Sequence, residues 1–364
     1  MTAILNDIHI GFNRVGGTTP ASREALRNYL FTKVDGALGT LATYHDHIIV
    51  AGDLFDDFEV PGRDWLQTFN MFVSWLSGSG RRLTLAAGNH DANPRGDKVS
   101  SFQMLCEALV QIFPERFDYL PVGTMSLYDE RIWVLAHYPN QDTFDEALES
   151  LLNSADGIEG HTVIVHANLD NNFAVESDHS LNVSSDMALR FVKAGAHLMF
   201  AHEHQARTYI PHGTTADATG TVTVMGNQFP TSISDCLGND EKYAWRIEDD
   251  GPKKELTTWS KDTFYPFTRI DWTEIDKAKD LEGFIRIEGH ATMNQAADVV
   301  QAISSLRSKS KAFIIANAVK VDGIADLDAL PQEFEAATAF DVLAFIKQNL
   351  TPEEWAVVEK LNAE

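Results

Sequence analysis

Five short clusters of aspartate, asparagine and histidine lie in the first 204 residues, and these side chains supply the oxygen and nitrogen ligands that divalent metal ions bind. The clusters are Asp7-Ile8-His9, Gly52-Asp53-Leu54-Phe55-Asp56, Gly88-Asn89-His90-Asp91, His166 and His202-Glu203-His204. Together they offer more ligands than one ion binds and enough for two. Two ions roughly 3.5–4 Å apart, bridged by a carboxylate, activate water and clamp a phosphate. The clusters therefore predict a two-metal site for phosphate-ester chemistry.

Each cluster follows a short apolar run that is typical of a β-strand. The apolar runs are Ala3–Leu5, His47–Ala51, Arg82–Ala87, Arg131–Ala136, Thr162–Val165, His197–Ala201 and Val222–Met225. Segments with helical periodicity lie between several of them, at Ser22–Leu38, Asp64–Leu76, Ser101–Phe113, Thr143–Leu152 and Ser184–Ala194. Strands that alternate with helices predict a layered α/β domain. Ligands in such domains collect beyond the carboxyl ends of the strands, where the clusters lie.

The last third of the chain predicts a second, smaller unit. The strand pattern continues through Tyr243–Glu248 and then gives way to a charged stretch with glycine and proline, Asp249–Lys254. Farther on, the pattern predicts a strand at Phe284–Glu288, a helix at Asn294–Arg307 and a strand at Ala312–Val321. After Pro331 the chain reads as helical to its end, with a capping box at Thr351–Glu354.

Composition limits the protein class and the compartment. The 364 residues suggest two domains, and 44% hydrophobic with 23% charged residues is typical of a globular protein. No apolar run approaches the roughly 20 residues that span a bilayer, and the first residues lack the pattern of a signal peptide. Two cysteines fit a reducing compartment, so we expect a cytoplasmic protein.

The charge balance argues against a general nucleic-acid binder. There are 29 basic and 53 acidic residues, a formal net charge of −24, whereas contacts to phosphates need a basic surface. One interval departs from this balance, because Val299–Val321 contains four basic residues and no acidic one. The excess of acid does not exclude an enzyme that handles phosphates through bound metal ions.

The order of the clusters resembles the calcineurin-like metallophosphoesterase superfamily, whose pattern is D-x-H, GD-x-x-D, GNHD, H and H-x-H. Within it, Ile48–Asp56 and Ala87–Asp91 resemble the SbcD-type nuclease subunit of SbcCD complexes, including phage relatives. The stretch Gly226–Ser232, followed by Lys242–Glu248, resembles the end of that nuclease domain. The resemblance implies an α/β fold, a metallophosphoesterase β-sandwich flanked by helices over residues 1–260. It also implies a small α/β capping domain over 261–325 and a helical tail over 326–364.

The resemblance also implies a role for each site residue. The first metal ion would be held by Asp7, His9, Asp53 and His204, and the second by Asp53, Asn89, His166 and His202. His90 would stabilise the transition state or protonate the leaving oxygen, and Asp56 would orient its ring. The implied cofactors are two divalent ions, Mn²⁺ with Mg²⁺ as the alternative, and the nucleophile would be a metal-bridging hydroxide.

The partners follow from the same resemblance. We expect the helical tail to bind an SbcC-like ATPase, and two copies of each chain to form a heterotetramer. We further expect DNA contacts from the basic interval of the capping domain, through Arg307, Lys309 and Lys311. An ordinary solvated helix end would explain that interval equally well. For the tail, the alternative is an ordinary helix packed on its own domain.

Three readings of the substrate remain open at this point. The first is a DNA exonuclease or endonuclease subunit, and the second is a cyclic-nucleotide phosphodiesterase or phosphatase of the same superfamily. The third is a non-catalytic scaffold, which the full set of candidate ligands disfavours.

The chain also departs from the family pattern. Asn6 and Ala201 replace the usual serine and glycine, and the loop Asn13–Pro20 is additional.

Three further histidines and one cysteine are expected to have structural rather than catalytic roles. His137 ends a predicted strand but matches no ligand position. His45 and His47 are predicted to lie at the surface, and Cys106 in the core.

Overall fold

The first sheet of the computed structural model has six strands and is built around parallel neighbours. Described are residues 1–12, 19–92, 98–171, 180–216, 218–238, 242–259 and 267–321. The strands of this sheet are β1 (Thr2–Leu5), β2 (His47–Ala51), β3 (Arg82–Ala86), β4 (Phe117–Leu120), β13 (Lys242–Glu248) and β14 (Gly251–Trp259). Their order is β14-β13-β1-β2-β3-β4, with β1 to β4 parallel and β13 and β14 antiparallel to their neighbours. The carboxyl ends of β1, β2 and β3 therefore share one edge.

The second sheet repeats this arrangement. Its strands are β5 (Met125–Tyr128), β6 (Ile132–Leu135), β7 (Thr162–His166), β10 (His197–Ala201), β11 (Arg207–Tyr209) and β12 (Thr221–Val224). The order is β11-β12-β10-β7-β6-β5, and the four central strands are parallel. A short parallel pair, β8 (Asn168–Leu169) and β9 (Asn182–Val183), follows the end of β7.

Side chains of the second sheet alternate between two cores. Ile164 shares a core with the first sheet and with the helices α1 (Pro20–Tyr44), α2 (Gly62–Ser79) and α3 (Ser101–Ile112). Its neighbours Val163 and Val165 point the other way, toward α4 (Gln141–Leu152) and α5 (Ser185–Lys193). This period of two is the geometry of a pleated strand with both faces covered. The predicted layered α/β sandwich is confirmed.

Residues 267–321 form a small parallel sheet with its own helix. The strands β15 (Phe267–Asp271), β16 (Glu282–Glu288) and β18 (Lys311–Asn317) are parallel, and α6 (Ala296–Lys309) covers one face through Ile303 and Leu306. A further pair joins β17 (His290–Ala291) to β19 (Lys320–Val321). On the other face, Phe284 and Phe313 lie 5.8 and 5.4 Å from the ring of Tyr29 on α1.

The predicted domain boundaries stay predictions. The small sheet shares its second face with the core of the sandwich, whereas the predicted tail over 326–364 and residues 13–18 of the additional loop lie outside the described residues. No α-helix among the described residues is both long and apolar enough to cross a bilayer.

The structure corrects three sequence predictions. The chain does not leave the sheet at Asp249–Lys254, because Gly251, with φ of +108°, allows a tight turn and β14 returns along β13. The segment Ala312–Val321 forms two strands, β18 and β19, rather than one. His45 and His47 are buried, not exposed, because Glu255 and Thr84 of neighbouring strands lie 3.2 and 2.8 Å from their Nε2 atoms. Cys106 is buried as predicted.

Candidate metal centre

The polar clusters meet because the strands that precede them end at the same edge of the sandwich. Asp7, Asp53 and His202 follow β1, β2 and β10, while His166 is the last residue of β7. Asp7, Asp53 and His202 have φ of +49°, +48° and +78°, and His9 has +52°. Left-handed backbone at non-glycine residues is strained and concentrates at functional sites. These sharp turns direct the polar side chains into one space.

Two glycines in the motifs are required by close packing. A Cβ atom on Gly52 would lie 2.0 Å from His166 Nδ1, and one on Gly88 would lie 2.1 Å from Asp53 Oδ1. Contacts under about 3 Å are not tolerated, so each glycine leaves room for a ligand side chain. The glycines of the GD and GNHD motifs therefore have a steric function.

The first group of candidate ligands contains Asp7, His9 and His204. Each of them offers one ligand atom, and these atoms lie within 4.8 Å of one another. The Nε2 atoms of His9 and His204 are 3.0 Å apart. At this distance only one of the two Nε2 atoms can carry a proton, because two N–H groups would repel each other. A cation bound between them would accept the lone pairs of both nitrogens.

The second group contains Asp53, His166 and His202, again with ligand atoms within 4.8 Å of one another. Asn89 completes it, since its Oδ1 lies 2.9 Å from His166 Nε2 and 3.0 Å from His202 Nδ1. The main-chain N–H of His202 donates to Asp7 Oδ2 at 3.0 Å, which ties this group to the first.

Asp53 lies between the two groups. Its Oδ2 is 3.2 Å from His166 Nε2 and 3.8 Å from His9 Nε2, and its carboxylate is buried. Its Oδ1 accepts the main-chain N–H of His90 at 3.0 Å, which fixes the orientation of the carboxylate. Asp53 would therefore be the carboxylate shared by the two metal ions.

Four histidines present the same nitrogen to the centre. The Nδ1 atom of His166 faces Ala51 O at 3.3 Å, and that of His90 faces Asp56 O at 2.7 Å. The Nδ1 atoms of His9 and His204 each lie near a carboxylate, at 3.3 and 3.2 Å. An acceptor at Nδ1 holds the proton there and leaves Nε2 to bind a metal, which is the usual arrangement around a metal-binding histidine.

The electrostatics of the site fit a cation. Burial lowers the pKa of His166, but the Asp53 carboxylate raises it more, to about 9. The pKa values of His9 and His204 are likewise raised by neighbouring carboxylates against the effect of burial. Burial and the adjacent His166 lower the pKa of His202 to about 3.

The negative charges of Asp7 and Asp53 are compensated by histidines rather than by arginine or lysine. Among the described residues, no arginine or lysine pairs with Asp7 or Asp53, so the histidines alone compensate these carboxylates. Nitrogen and oxygen donors without sulfur suit Mn²⁺, Fe²⁺, Zn²⁺ or Mg²⁺. The residues therefore fit two divalent ions, and the metal's identity stays a prediction.

Asp56 contacts His90 in a way that differs from the prediction. The main-chain carbonyl of Asp56, not its carboxylate, accepts from His90 Nδ1. The carboxylate faces His9 Nδ1 instead. The ring of His90 is thus oriented by the chain, and its side chain is 22% exposed with Nε2 4.0 Å from Asp53 Oδ2.

Asp91 is the last residue of the GNHD motif, but the sequence alone indicates no role for it. Its buried carboxylate accepts the N–H groups of Gly88, Leu54 and Phe55 at 3.0, 3.3 and 3.1 Å. These bonds tie the loop after β3 to the loop after β2. Burial and the nearby Asp53 raise the pKa of Asp91 to about 6.

Sequence reasoning also missed Asp235 and Lys242, which are buried beside His204. Asp235 lies 31 positions after His204, and only the folded chain brings the two together.

The departures from the family pattern are accommodated by local contacts. Asn6 Nδ2 donates to Gly226 O at 3.0 Å, and Asn6 Oδ1 accepts from Gln228 Nε2 at 2.8 Å. This exchange joins the chain after β1 to the chain after β12. Ala201 is fully buried, and His137 is buried with its main-chain N–H on Ala87 O.

The three residues predicted to bind DNA lie in the small sheet unit, outside both ligand groups. Arg307 is half-buried, and its Nη2 donates to Ile315 O at 2.7 Å. Its guanidinium is therefore bonded to a main-chain carbonyl of the edge strand β18. Lys309 and Lys311 are exposed.

Comparison with known proteins gives a family match over residues 2–206, to the calcineurin-like phosphoesterases. One similar solved structure is the crystal structure of TT1561 of Thermus thermophilus, with 13% identity and a TM-score of 0.39, covering 71% of this chain and 98% of that chain. Another is a hypothetical protein from Thermus thermophilus, with 12% identity and a TM-score of 0.33, covering 69% and 95%. No curated protein matches. The matched region spans more than half of the chain and includes all seven candidate ligands, so this chain belongs to the calcineurin-like phosphoesterase family of metal-dependent hydrolases.

Proposed function

We propose that this chain is a two-metal phosphodiesterase that cleaves DNA, as the nuclease subunit of a complex with an SbcC-like ATPase. The observation that carries the phosphodiesterase chemistry is the position of Asp53, whose carboxylate lies within 4 Å of both ligand groups and of His90. Two metal ions, when bound, generate a nucleophile from water and stabilise charge on the phosphate oxygens. Mn²⁺ is the proposed metal, with Mg²⁺ as the alternative.

The chain's own residues prepare the site for an in-line displacement. Asp7, Asp53 and Asn89 are fixed by main-chain donors or by packing between histidines, so they need little reorganisation when substrate binds. The two ligand groups consist of carboxylate, amide and imidazole side chains and the proposed nucleophile is water, so a covalent intermediate on a side chain is not required.

His90 is the proposed general acid. Its Nδ1–H donates to Asp56 O, so Nε2 faces the shared carboxylate and the solvent-accessible side of the site. A protonated Nε2 there either donates to a phosphate oxygen or delivers its proton to the leaving oxygen.

The DNA substrate is supported by the SbcD-like stretches Ile48–Asp56, Ala87–Asp91 and Gly226–Ser232, and by the unit at 267–321 beyond the family match. With a net charge of −24, the chain is expected to gain most of its DNA affinity from the ATPase. Because Arg307 is engaged internally, Lys309 and Lys311 are the remaining candidates for phosphate contacts.

The test compares Mn²⁺-dependent hydrolysis of linear duplex DNA, a cyclic nucleotide and a phosphomonoester, with and without the ATPase. We expect DNA to be cleaved fastest and the ATPase to increase that rate. Preference for the cyclic nucleotide, unaffected by the ATPase, would support the alternative, a small-molecule phosphodiesterase. Preference for the monoester would indicate a phosphatase.

The proposed partnership has its own test. Removal of residues 326–364 is expected to abolish pairing with the ATPase while leaving hydrolysis of a small diester intact. Retained pairing would contradict the assignment of the ATPase-binding function to this segment. The DNA contact is tested by changing Lys309 and Lys311 together to alanine, with loss of DNA binding by the complex at low salt as the expected result.

A further inference from the structure

A fully buried carboxylate lies just outside the first ligand group. Asp235 belongs to the short 3₁₀ turn Ser234–Cys236 and is 0% exposed. Its Oδ2 accepts three hydrogen bonds, from the main-chain N–H groups of Thr231 and Ser232 and from the Ser232 hydroxyl, all at 2.9 Å. These donors fix the carboxylate in a single orientation, because each comes from the same short stretch of chain.

The other oxygen of Asp235 faces a metal-ligand candidate. Oδ1 lies 3.2 Å from His204 Nδ1. The Asn227 amide nitrogen is also near Nδ1, at 3.4 Å, but an amide NH₂ only donates. Asp235 is therefore the acceptor that keeps the proton on Nδ1 and leaves the Nε2 lone pair facing His9.

Lys242 fixes both Asp235 and the main chain of the ligand. Its side chain is 3% exposed, and its ammonium donates to Asn227 Oδ1 at 2.6 Å, to His204 O at 3.2 Å and to Asp235 Oδ1 at 3.3 Å. All three bonds are charge-assisted in a dry environment, where they are strong. A buried lysine and a buried aspartate that neutralise each other add no net charge to the metal centre.

The small sheet unit supports the same turn from the opposite side. Arg286 on β16 donates Nη1 to Leu237 O at 2.9 Å, immediately after the turn. Cys236 is buried in the core that also contains Phe229 and Phe313. The turn is thus held between the sandwich and the small sheet.

We infer that Asp235 is a positioning residue for His204, and that Lys242 holds Asp235 in place. Affinity at the first metal position then depends on residues 231–237 and on Lys242, which lie beyond the family match over 2–206. This inference rests on the metal centre and not on the identity of the phosphodiester, so it is tested without substrate.

The experiment is a titration of the full-length, metal-free chain with Mn²⁺ alone, followed by electron paramagnetic resonance of free Mn²⁺. For Asp235→Ala we expect one of the two binding steps to weaken by about 10–100-fold, with the other unchanged. Asp129→Asn, which changes an aspartate at the opposite edge of the sheets, is the matched control and is expected to bind both ions as the parent does.

Two ligand backgrounds identify which step is affected. In a His166→Ala background only the first group remains intact, and Asp235→Ala is expected to have its full effect there. In a His9→Ala background the effect is expected to vanish. Equal weakening of both steps would indicate general structural damage and would overturn the inference, as would unchanged titrations.

A second variant covers the case in which Asp235→Ala does not fold. Asp235→Asn preserves the shape of the side chain but has one accepting oxygen. That oxygen can accept either from the main-chain donors of Thr231 and Ser232 or from His204 Nδ1, but not on both sides. We expect the same selective loss at the first step. The melting temperature in excess chelator shows that the variant is folded, and it is expected to lie below that of the parent because Lys242 loses its counter-charge. Parent-like binding by this folded variant would refute the positioning function.

Discussion

The two edges of the first sheet both place carboxylates beside buried histidines, but they neutralise these carboxylates differently. Beside the amino ends of the strands, Asp129 accepts from Arg82 Nη2 at 2.8 Å and from the Thr2 hydroxyl. Beyond the carboxyl ends, Asp7 and Asp53 pair with no arginine or lysine among the described residues. At the first edge an arginine of the chain pairs with the carboxylate, whereas Asp7 and Asp53 at the second edge have histidines and would be neutralised by bound metal ions.

The pKa shifts express the same difference. The nearby His47 imidazole and hydrogen bonds from Thr2 and Arg82 lower the pKa of Asp129, because the chain stabilises its charged form. At the catalytic edge the carboxylates instead raise the pKa values of His9 and His166. At one edge donors from the chain stabilise a carboxylate, and at the other buried carboxylates stabilise the charged form of histidines.

The largest effect is expected from a pair of histidines, one at each edge. His90→Ala is expected to lower the rate of diester hydrolysis by about 10²–10⁴-fold, because the proton donor is lost. Its Mn²⁺ stoichiometry is expected to stay at the parent value, since the groups of Asp7 and of Asp53 are unchanged. Loss of an ion would instead assign His90 to the third possible ligand group, with His9 and Asp56. His47→Ala is the control and is expected to keep the parent rate while losing stability by about 1 kcal/mol. Equal rates for His90→Ala and the parent would remove His90 from the mechanism.

Alanine substitutions at two glycines, one packed against the site and one exposed on a helix, have opposite expected effects. Gly88→Ala places a methyl group against Asp53, so Mn²⁺ affinity is expected to fall about tenfold or more and stability by about 1–3 kcal/mol. Gly36→Ala lies in the exposed interior of α1 with nothing within 4 Å, and is expected to stabilise the chain by about 0.5–1 kcal/mol. Calorimetry and metal titration measure both, and a neutral Gly88→Ala would contradict the close contact.

Asp129→Asn tests the edge that contains its own cation. Because the folded-state pKa lies below the ordinary value of 3.8, the carboxylate stabilises the fold above pH 3.8 and loses this effect as pH falls further. At pH 7 we expect a loss of about 1 kcal/mol, limited by the partial exposure of the group. Urea unfolding at several pH values measures it. A difference from the parent that stays constant down to pH 3 would disprove this account of Asp129.

The smallest effect is expected at the contact between the small sheet unit and the turn that carries Asp235. Arg286→Met removes the bond to Leu237 O, worth about 1 kcal/mol, so Mn²⁺ affinity at the first step is expected to fall by about fivefold at most. Arg269→Met, which removes an exposed ion pair to Glu288, is the control. A larger effect of Arg269→Met than of Arg286→Met would contradict the coupling.

Much of the sandwich is predictable from local sequence. The bounds of β2 and β10 are those of the apolar runs, because both strands are buried on both faces and turn sharply into polar loops. Edge strands such as β14 were missed, since half-exposed edges tolerate the lysines and proline that interrupt the pattern. His45 and His47 were misplaced because their partners come from other strands.

The candidate site also has a part that the sequence predicts and a part that only the fold shows. The clusters are visible in sequence because each follows its own strand. The contact of the Asp56 carboxylate with His9, and of Asp235 with His204, depends on chain segments that are far apart in sequence. Spacing alone carries no signal for such contacts, and only the fold shows them.

The most direct test of the shared position of Asp53 is the number of Mn²⁺ ions that the metal-free, full-length chain binds, measured by titration for the parent and for Asp53→Asn. Asn preserves the shape of the side chain but removes the charge between the two ligand groups. We predict two ions per parent chain and weakened binding at both steps in Asp53→Asn. A single ion in the parent, or a loss confined to one step in Asp53→Asn, would contradict a centre in which one carboxylate serves two metals.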